Sequence, residues 1–561
     1  MGVGADVEMP RLLGQARVVP DLRVERRARP DLPPSLAVGL AVPTLVLLVL
    51  LVAWPALRIG GEALLGGDGL DRLRAARDQP GAGGMVGRTL LAAVVVPAAV
   101  TAAGLAVAMA AGRDRIARWC TAPIVAPVAV PLAATGIAVR HLYGEGPLAG
   151  SLAFVGLLGA LAWAWVGLAA VVFRAALDRV EPELADAARA HGAEGRALAR
   201  DAVWRPVLGR TGLVVFAALA LMSTRWADLA LVAVAPERRV GASTLGSLAW
   251  PAAAPDDALA AWSLGWLALA LVGVAVAARR ARRRWPPPLL LTPPAVDDPP
   301  TRPLARRLGL AVVAAVWAIP PGALVVASLR SDDGWRTDAF RDAVDGTDLV
   351  PSLLLTFGLA AAVAVTVTVL GVALAAAWTW APIPHPARAA GLIVGLALLA
   401  MAVPAPVLAG PAGDLLGAVG LDSTWAGLGL VHVALLLPVA VLVLRNALAG
   451  TDLAALDHAR RRGRPGRETL AERAPGATSA AVAVAIVAFV VVWGDLVVGR
   501  LFAGADGARP VGVLLHDLAA DAPADSAPLA ATAVLTTLVP LAVVALARRP
   551  LLDGLTAGAL R

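Results

Sequence analysis

"SLLLTFGLAAAVAVTVTVLGVALAAAW", Ser352 to Trp378, runs for 27 residues without one charged side chain. A helix needs about 20 apolar residues to cross the roughly 30 Å hydrocarbon core of a bilayer, so this stretch is long enough to span. Its apolar character is continuous rather than alternating, which excludes a strand of a transmembrane barrel and leaves a helix. Comparable runs recur from end to end. Spans are predicted near 37–57, 89–111, 122–142, 149–173, 211–235 and 258–278. A second set falls near 308–328, 352–378, 389–410, 424–444, 478–500 and 527–547, about twelve in all. The composition agrees, with 58% hydrophobic and only 4% aromatic residues, far from a soluble average. The expected fold class is all-α integral membrane.

The formal net charge of +8 does not point to nucleic acid, because the arginines cluster in short loops between spans, in the positive-inside pattern. Arg23, Arg26, Arg27 and Arg29 precede the first span, Arg113, Arg115 and Arg118 follow the second, and a cluster from Arg279 to Arg284 follows the sixth. All fall on one side if the N-terminus is cytoplasmic, and Arg548 and Arg549 then put the C-terminus there too. Arg72, Arg74 and Arg77 lie in an outer loop but are accompanied by Asp68, Asp71 and Asp78. The first span is read as retained rather than cleaved, since its Arg- and Pro-rich head is unlike a compact signal-peptide n-region. Cys120 is the single cysteine, so a disulfide within the chain is excluded.

"WPPPLLLTPPAVDDPPTRPLARR", Trp285 to Arg307, is a Pro-rich segment with the character of a semi-rigid linker. It divides the chain into a cytoplasmic N-terminal segment (1–36), a first six-span half (37–284), the linker (285–307), a second half (308–547) and a cytoplasmic tail (548–561). An even number of spans returns the chain to its starting side, so the halves are expected to be related by a pseudo-twofold axis along the membrane normal. Two echoes support repetition. The string Asp186-Ala187-Ala188-x3-Gly192 returns as Asp457-His458-Ala459-x3-Gly463, in each case between the fourth and fifth span of its half. "RWADL", Arg225 to Leu229, returns as "VWGDL", Val492 to Leu496, at nearly the same offset.

The two polar loops read as short helices. Pro182 precedes the first and Gly192 ends it, while Thr451 or Asp452 caps the second, which stops at Gly463 with Pro465 beyond. Small residues at Ala187, Ala188 and Ala459 leave room for a partner groove. The plain reading of one such loop is a topology signal; its repetition argues for more. The loops resemble the EAA motif, Glu-Ala-Ala-x3-Gly-x9-Ile-x-Leu-Pro, of the membrane subunits of binding-protein-dependent ABC importers with the methionine-importer-like permease fold. The resemblance covers nearly the whole chain as two fused permease halves, similar to iron(III) and thiamine permeases. It implies that Asp186, Ala187, Ala188 and Gly192 in the first half, and Asp457, Ala459 and Gly463 in the second, form coupling helices seated on two copies of a cytoplasmic ABC ATPase. It further implies an extracytoplasmic solute-binding protein, a bacterial plasma (inner) membrane location, and a solute of the iron(III) or thiamine-like kind. The departures are Asp for Glu in both motifs, His458 for the first Ala, Pro206 one residue late and Pro475 one early. The chain contains no lysine, and a Walker A loop needs one to reach the β- and γ-phosphates. The chain is therefore expected to be no enzyme and to bind no cofactor, with ATP and magnesium on the partner subunits.

Asp228 and Asp495 stand in or near the outer ends of apolar spans, where a carboxylate costs about 3 kcal/mol at mid-helix. Either they flank a translocation path between the halves, with Arg225 one turn from Asp228, or they lie at the outer headgroup layer with Trp226 and Trp493 as interface anchors. Arg140, His141, Tyr143 and Glu145 end the third span and read as interface anchors ahead of a gate. His432 reads as a packed residue rather than a metal ligand, because no ligand stands at a metal-binding spacing beside it. Pro123, Pro127 and Pro131, echoed by Pro404, Pro406 and Pro411, are expected to bend the third and ninth spans. Neither a catalytic pair nor a metal-ligand cluster is evident.

The rival from another class is a secondary transporter of the major facilitator type, also about twelve spans in two parallel halves. "AGRDRIARW", Ala111 to Trp119, loosely resembles that family's Gly-x3-Asp-Arg-x-Gly loop, but "APIPHPAR" in the second half does not. A membrane scaffold without transport of its own is a third reading.

Overall fold

The computed structural model describes residues 34–65, 71, 74, 78, 82–111, 115–143, 153–177, 211–222, 227–234, 244, 303–331, 334–380, 386–402, 405–449, 475–504, 509–523 and 526–547. Among them, seven helices are long and apolar enough to cross a membrane, or up to nine if each of two bent pairs is one span. Apart from one two-residue antiparallel ladder, Arg330–Ser331 with Gly334–Trp335, the described chain is helical or irregular. It is an all-α, multi-pass type of membrane protein.

The helices of the first part are α1 (Pro34–Leu48), α2 (Trp54–Leu65), α3 (Ala82–Ala111), α4 (Arg115–Val125), α5 (Leu132–Tyr143), α6 (Ala153–Leu177), α7 (Leu213–Met222) and α8 (Ala227–Ala233). Those of the second part are α9 (Pro303–Trp317), α10 (Ile319–Leu329), α11 (Asp338–Asp345), α12 (Leu349–Trp380), α13 (Pro386–Ala402), α14 (Ala405–Ala418), α15 (Trp425–Ala449), α16 (Pro475–Gly494), α17 (Val497–Phe502), α18 (Val511–Asp521) and α19 (Ala527–Leu546).

Seven of the twelve expected spans are present as long apolar helices, and two more, near 122–142 and 308–328, are helix pairs bent at prolines. Pro123, Pro127 and Pro131 fall at every fourth position, so each takes away the N–H that would bond the carbonyl four residues back. The third span does not merely bend. It stops at Val125, passes through a 3₁₀ turn at Ala126–Ala129, and restarts as α5 at an angle of 111°. Pro320 and Pro321 divide the expected span at 308–328 into α9 and α10, which meet at 45°. Of the fifth span α7 and α8 are described and of the ninth α13 and α14, with residues 223–226 and 403–404 between them outside the described residues. The sixth, at 258–278, lies outside the described residues. A milder device appears in the first span, where Pro55 follows a π turn at Val49–Ala53 and the Trp54 N–H reaches back to the Val49 carbonyl; the wider turn keeps α1 and α2 continuous.

Lipid tails are as apolar as leucine, so helices in a bilayer associate through close packing rather than through escape from water. The interior is accordingly rich in alanine, while Leu354, Val365 and Val369 of α12 face outward. Contacts within the two parts are paired. Helix α3 packs on α6 and α7, as α12 packs on α15 and α16. The first helices are exchanged: α1 lies against α12, where the Thr44 hydroxyl donates to the Leu370 carbonyl at 3.2 Å, and α9 lies against α3 and α4. Trp163 of α6 and Trp317 of α9 donate their indole N–H groups to each other's carbonyls, at 3.0 and 3.2 Å.

Three long-range bonds share one cause. A proline in or just after a helix leaves the carbonyl four residues earlier without its N–H, a cost in a medium with no water to replace it. Pro321 does this to Trp317, whose carbonyl accepts from Trp163. Pro540 does it to Thr536, whose carbonyl accepts from the Trp493 indole at 2.9 Å. Pro523 does it to Ala519, whose carbonyl accepts from Arg140, a side chain that also donates to the Ala522 carbonyl at 3.0 Å.

Candidate functional site

The acids of the repeated Asp-Leu strings stand in or just before the first turn of a helix. Asp228 lies in the first turn of α8, and Asp495 in the two-residue break between α16 and α17. Twenty residues of α16 rise about 30 Å, which puts Asp495 a full bilayer core away from Pro475. At the start of a helix the first amide N–H groups have no partner in the helix and favour an acceptor. Both acids use the same start. The Gly499 N–H donates to Asp495 Oδ2 at 3.0 Å, and the Leu496 N–H, from the break itself, donates to Asp228 Oδ2 at 3.3 Å. The acid of the first part is thereby bonded to the backbone of the second, next to the second acid.

Neither acid lies at an open surface. Asp228 is only 6% exposed, and its Oδ1 has no hydrogen-bond partner among the described residues. Asp495 is near enough to act on it electrostatically. The headgroup-anchor reading also fails for Trp493, which is 1% exposed, stacks on Phe489 with ring centroids 5.6 Å apart, and bonds Thr536. Arg225 and Trp226 lie outside the described residues, so the pairing expected between Arg225 and Asp228 does too.

His432, on α15, is the group that sequence reasoning set aside. Its Nδ1 lies 3.0 Å from the Leu428 carbonyl and its Nε2 3.4 Å from Asp495 Oδ2. A carbonyl only accepts, so Nδ1 carries the hydrogen of that bond. Nε2, buried and without a hydrogen-bond partner among the described residues, then faces a carboxylate. The packing that permits this is tight. A side chain on Gly512 would overlap the Asp495 carbonyl oxygen, and one on Gly494 would come within 3.3 Å of Pro131. No sequence signal joins residues 432 and 495, which are 63 positions apart; only the packing of α15 beside α16 and α17 does.

Arg140, expected as an interface anchor, ties α5 to the end of α18. Arg500, on α17, stands 3.6 Å from Asp517, which also pairs with Arg509. His141 is half-buried at the end of α5, and Glu145 lies outside the described residues. Among the described residues no group of three or more His, Cys, Asp or Glu side chains could hold a metal ion. Asp186, Ala187, Ala188, Gly192, Asp457, Ala459 and Gly463 all lie outside the described residues. Their loops occupy equivalent places in the chain, between α6 and α7 and between α15 and α16.

Compared with known families and with characterised proteins, the chain matches no family model and no curated protein.

Proposed function

We propose that this chain is the permease of a binding-protein-dependent ABC importer, built as two tandem six-helix halves, 37–284 and 308–547, about a pseudo-twofold axis along the membrane normal. The observation that carries the reading is that equivalent residues of a repeat converge: Asp228, of the first Asp-Leu string, accepts from the backbone of Leu496, of the second. The paired contacts of α3 with α6 and α7, and of α12 with α15 and α16, support the repeat, as does the exchange of α1 and α9. The solute passes along the seam between the halves, with Asp228 and Asp495 beside the path.

The energy comes from elsewhere. With no lysine for a P-loop, the chain relies on two copies of a cytoplasmic ABC ATPase that hold ATP and magnesium. Asp186, Ala187, Ala188 and Gly192 dock one copy, and Asp457, Ala459 and Gly463 the other, which converts ATPase closure into rocking of the halves. A solute-binding protein delivers iron(III) or a thiamine-like solute from outside a bacterial plasma membrane, with both termini of the chain cytoplasmic.

Gentle extraction followed by mass spectrometry is expected to recover a lysine-bearing P-loop ATPase that is lost on Gly192→Pro together with Gly463→Pro. Full ATP-dependent uptake by that double variant would overturn the coupling assignment. The major-facilitator reading draws its support from the largely buried contact between His432 and Asp495, since ionisable residues within membrane-spanning bundles are common elements of proton relays. Recovery of the chain alone, moving solute on a proton gradient without ATP, would establish that reading instead.

A further inference from the structure

We propose that His432, Asp495 and Asp228 form a proton-binding site at the contact between the two parts of the chain, holding one exchangeable proton between His432 Nε2 and Asp495 Oδ2. The argument is one of donors and acceptors. Nδ1–H is committed to the Leu428 carbonyl at 3.0 Å, so a neutral imidazole turns the lone pair of Nε2 toward a carboxylate oxygen 3.4 Å away. Two acceptors then face each other in a buried site, where unpaired polar atoms are costly. One proton, taken from water, turns this contact between two acceptors into an attractive one, and a small shift of the ring or carboxylate from 3.4 Å closes it to an N–H···O or N···H–O bond.

Asp228 makes the site a junction. Its Oδ2 holds the Leu496 N–H, while its buried Oδ1 has no hydrogen-bond partner among the described residues, so a second carboxyl group lies at the same contact and interacts electrostatically with Asp495. Neighbouring charged groups are engaged elsewhere. Arg140 on α5 binds carbonyls of the α18 end, Arg174 on α6 reaches the Ala108 carbonyl, and Asp414 on α14 pairs with Arg58. Arg500 on α17 and Asp517 on α18 pair with each other, and the buried His516 on α18 has an interaction of its own. On α15 itself, Arg445 lies over the Trp378 ring, and His141 on α5 is the remaining imidazole among the described residues and is half-buried. Separating the two parts breaks the Asp228–Leu496 bond and admits water to the cluster, so the proton and the contact are thermodynamically linked.

The test uses the purified full-length chain in lipid nanodiscs, without any ATPase, so its outcome is distinct from that of the importer reading. Infrared difference spectra are recorded across a pH titration in H₂O and D₂O. The expected result is a titrating imidazole or carboxylic-acid band that is lost in His432→Gln or Asp495→Asn, shifted in midpoint in Asp228→Asn, and unchanged in His141→Gln. Bands that survive all three substitutions unaltered would overturn the assignment. The wild-type spectra supply a second check should a variant fail to fold: absence of any titrating band from slowly deuterating groups also overturns it.

Discussion

Trp493 shows how one side chain replaces a backbone bond. Pro540 denies the Thr536 carbonyl its usual N–H, and the buried indole donates in its place at 2.9 Å. Trp493→Phe is expected to cost about 1–3 kcal/mol from the unsatisfied carbonyl, with a further loss from the smaller ring. Pro540→Ala restores an N–H to the helix and should recover the hydrogen-bond part. A double-mutant cycle in detergent unfolding is then expected to give a coupling of about 1 kcal/mol; additive effects would show that packing alone explains the tryptophan. The proline and the tryptophan are both plain in the sequence, but nothing in the spacing of 493 and 536 pairs them. His432 is the same case at the candidate site: the residue was visible, and the carboxylate it faces was not.

At the scale of elements, close approach decides which helices meet. Gly167 on α6 packs so tightly on the α4 end that a Cβ there would overlap the Ile124 carbonyl oxygen, while one on Gly156, on the same helix, would meet nothing within 4 Å. Gly167→Ala is therefore expected to lower thermal stability by about 1–3 kcal/mol or more through overpacking, and Gly156→Ala to be neutral or slightly stabilising through helix propensity. Size-exclusion profiles after a heating series would read both; equal behaviour would mean that α4 and α6 are not so closely apposed. Seven spans were legible as lengths of apolar chain. The break at 111° between α4 and α5 was legible only as proline content, because three prolines four residues apart state that bonds are lost and leave the direction of the restart to the packing around Leu132.

For the whole molecule, the exchange of first helices predicts behaviour that two independent bundles would not show. A chain split in the linker between Ala295 and Val296 and co-expressed as two fragments should purify as a complex, since α1 lies on α12 and α9 on α3 and α4. Removing residues 1–65 from the first fragment should weaken that complex, and separate elution of fully inserted fragments would contradict the exchange. The sequence by itself determined that the chain is helical and lies in a membrane, because the length of an apolar run set against bilayer thickness is a property of consecutive residues. It also revealed the repeated acid strings. Only the tertiary structure decided that Asp228 reaches the amide beside Asp495, that His432 faces the same carboxylate, and that Arg140 and Trp493 donate to helix carbonyls. In a bilayer such groups find no water, so their partners must come from whichever helix packing brings near, and that choice is not written in any local stretch of the chain.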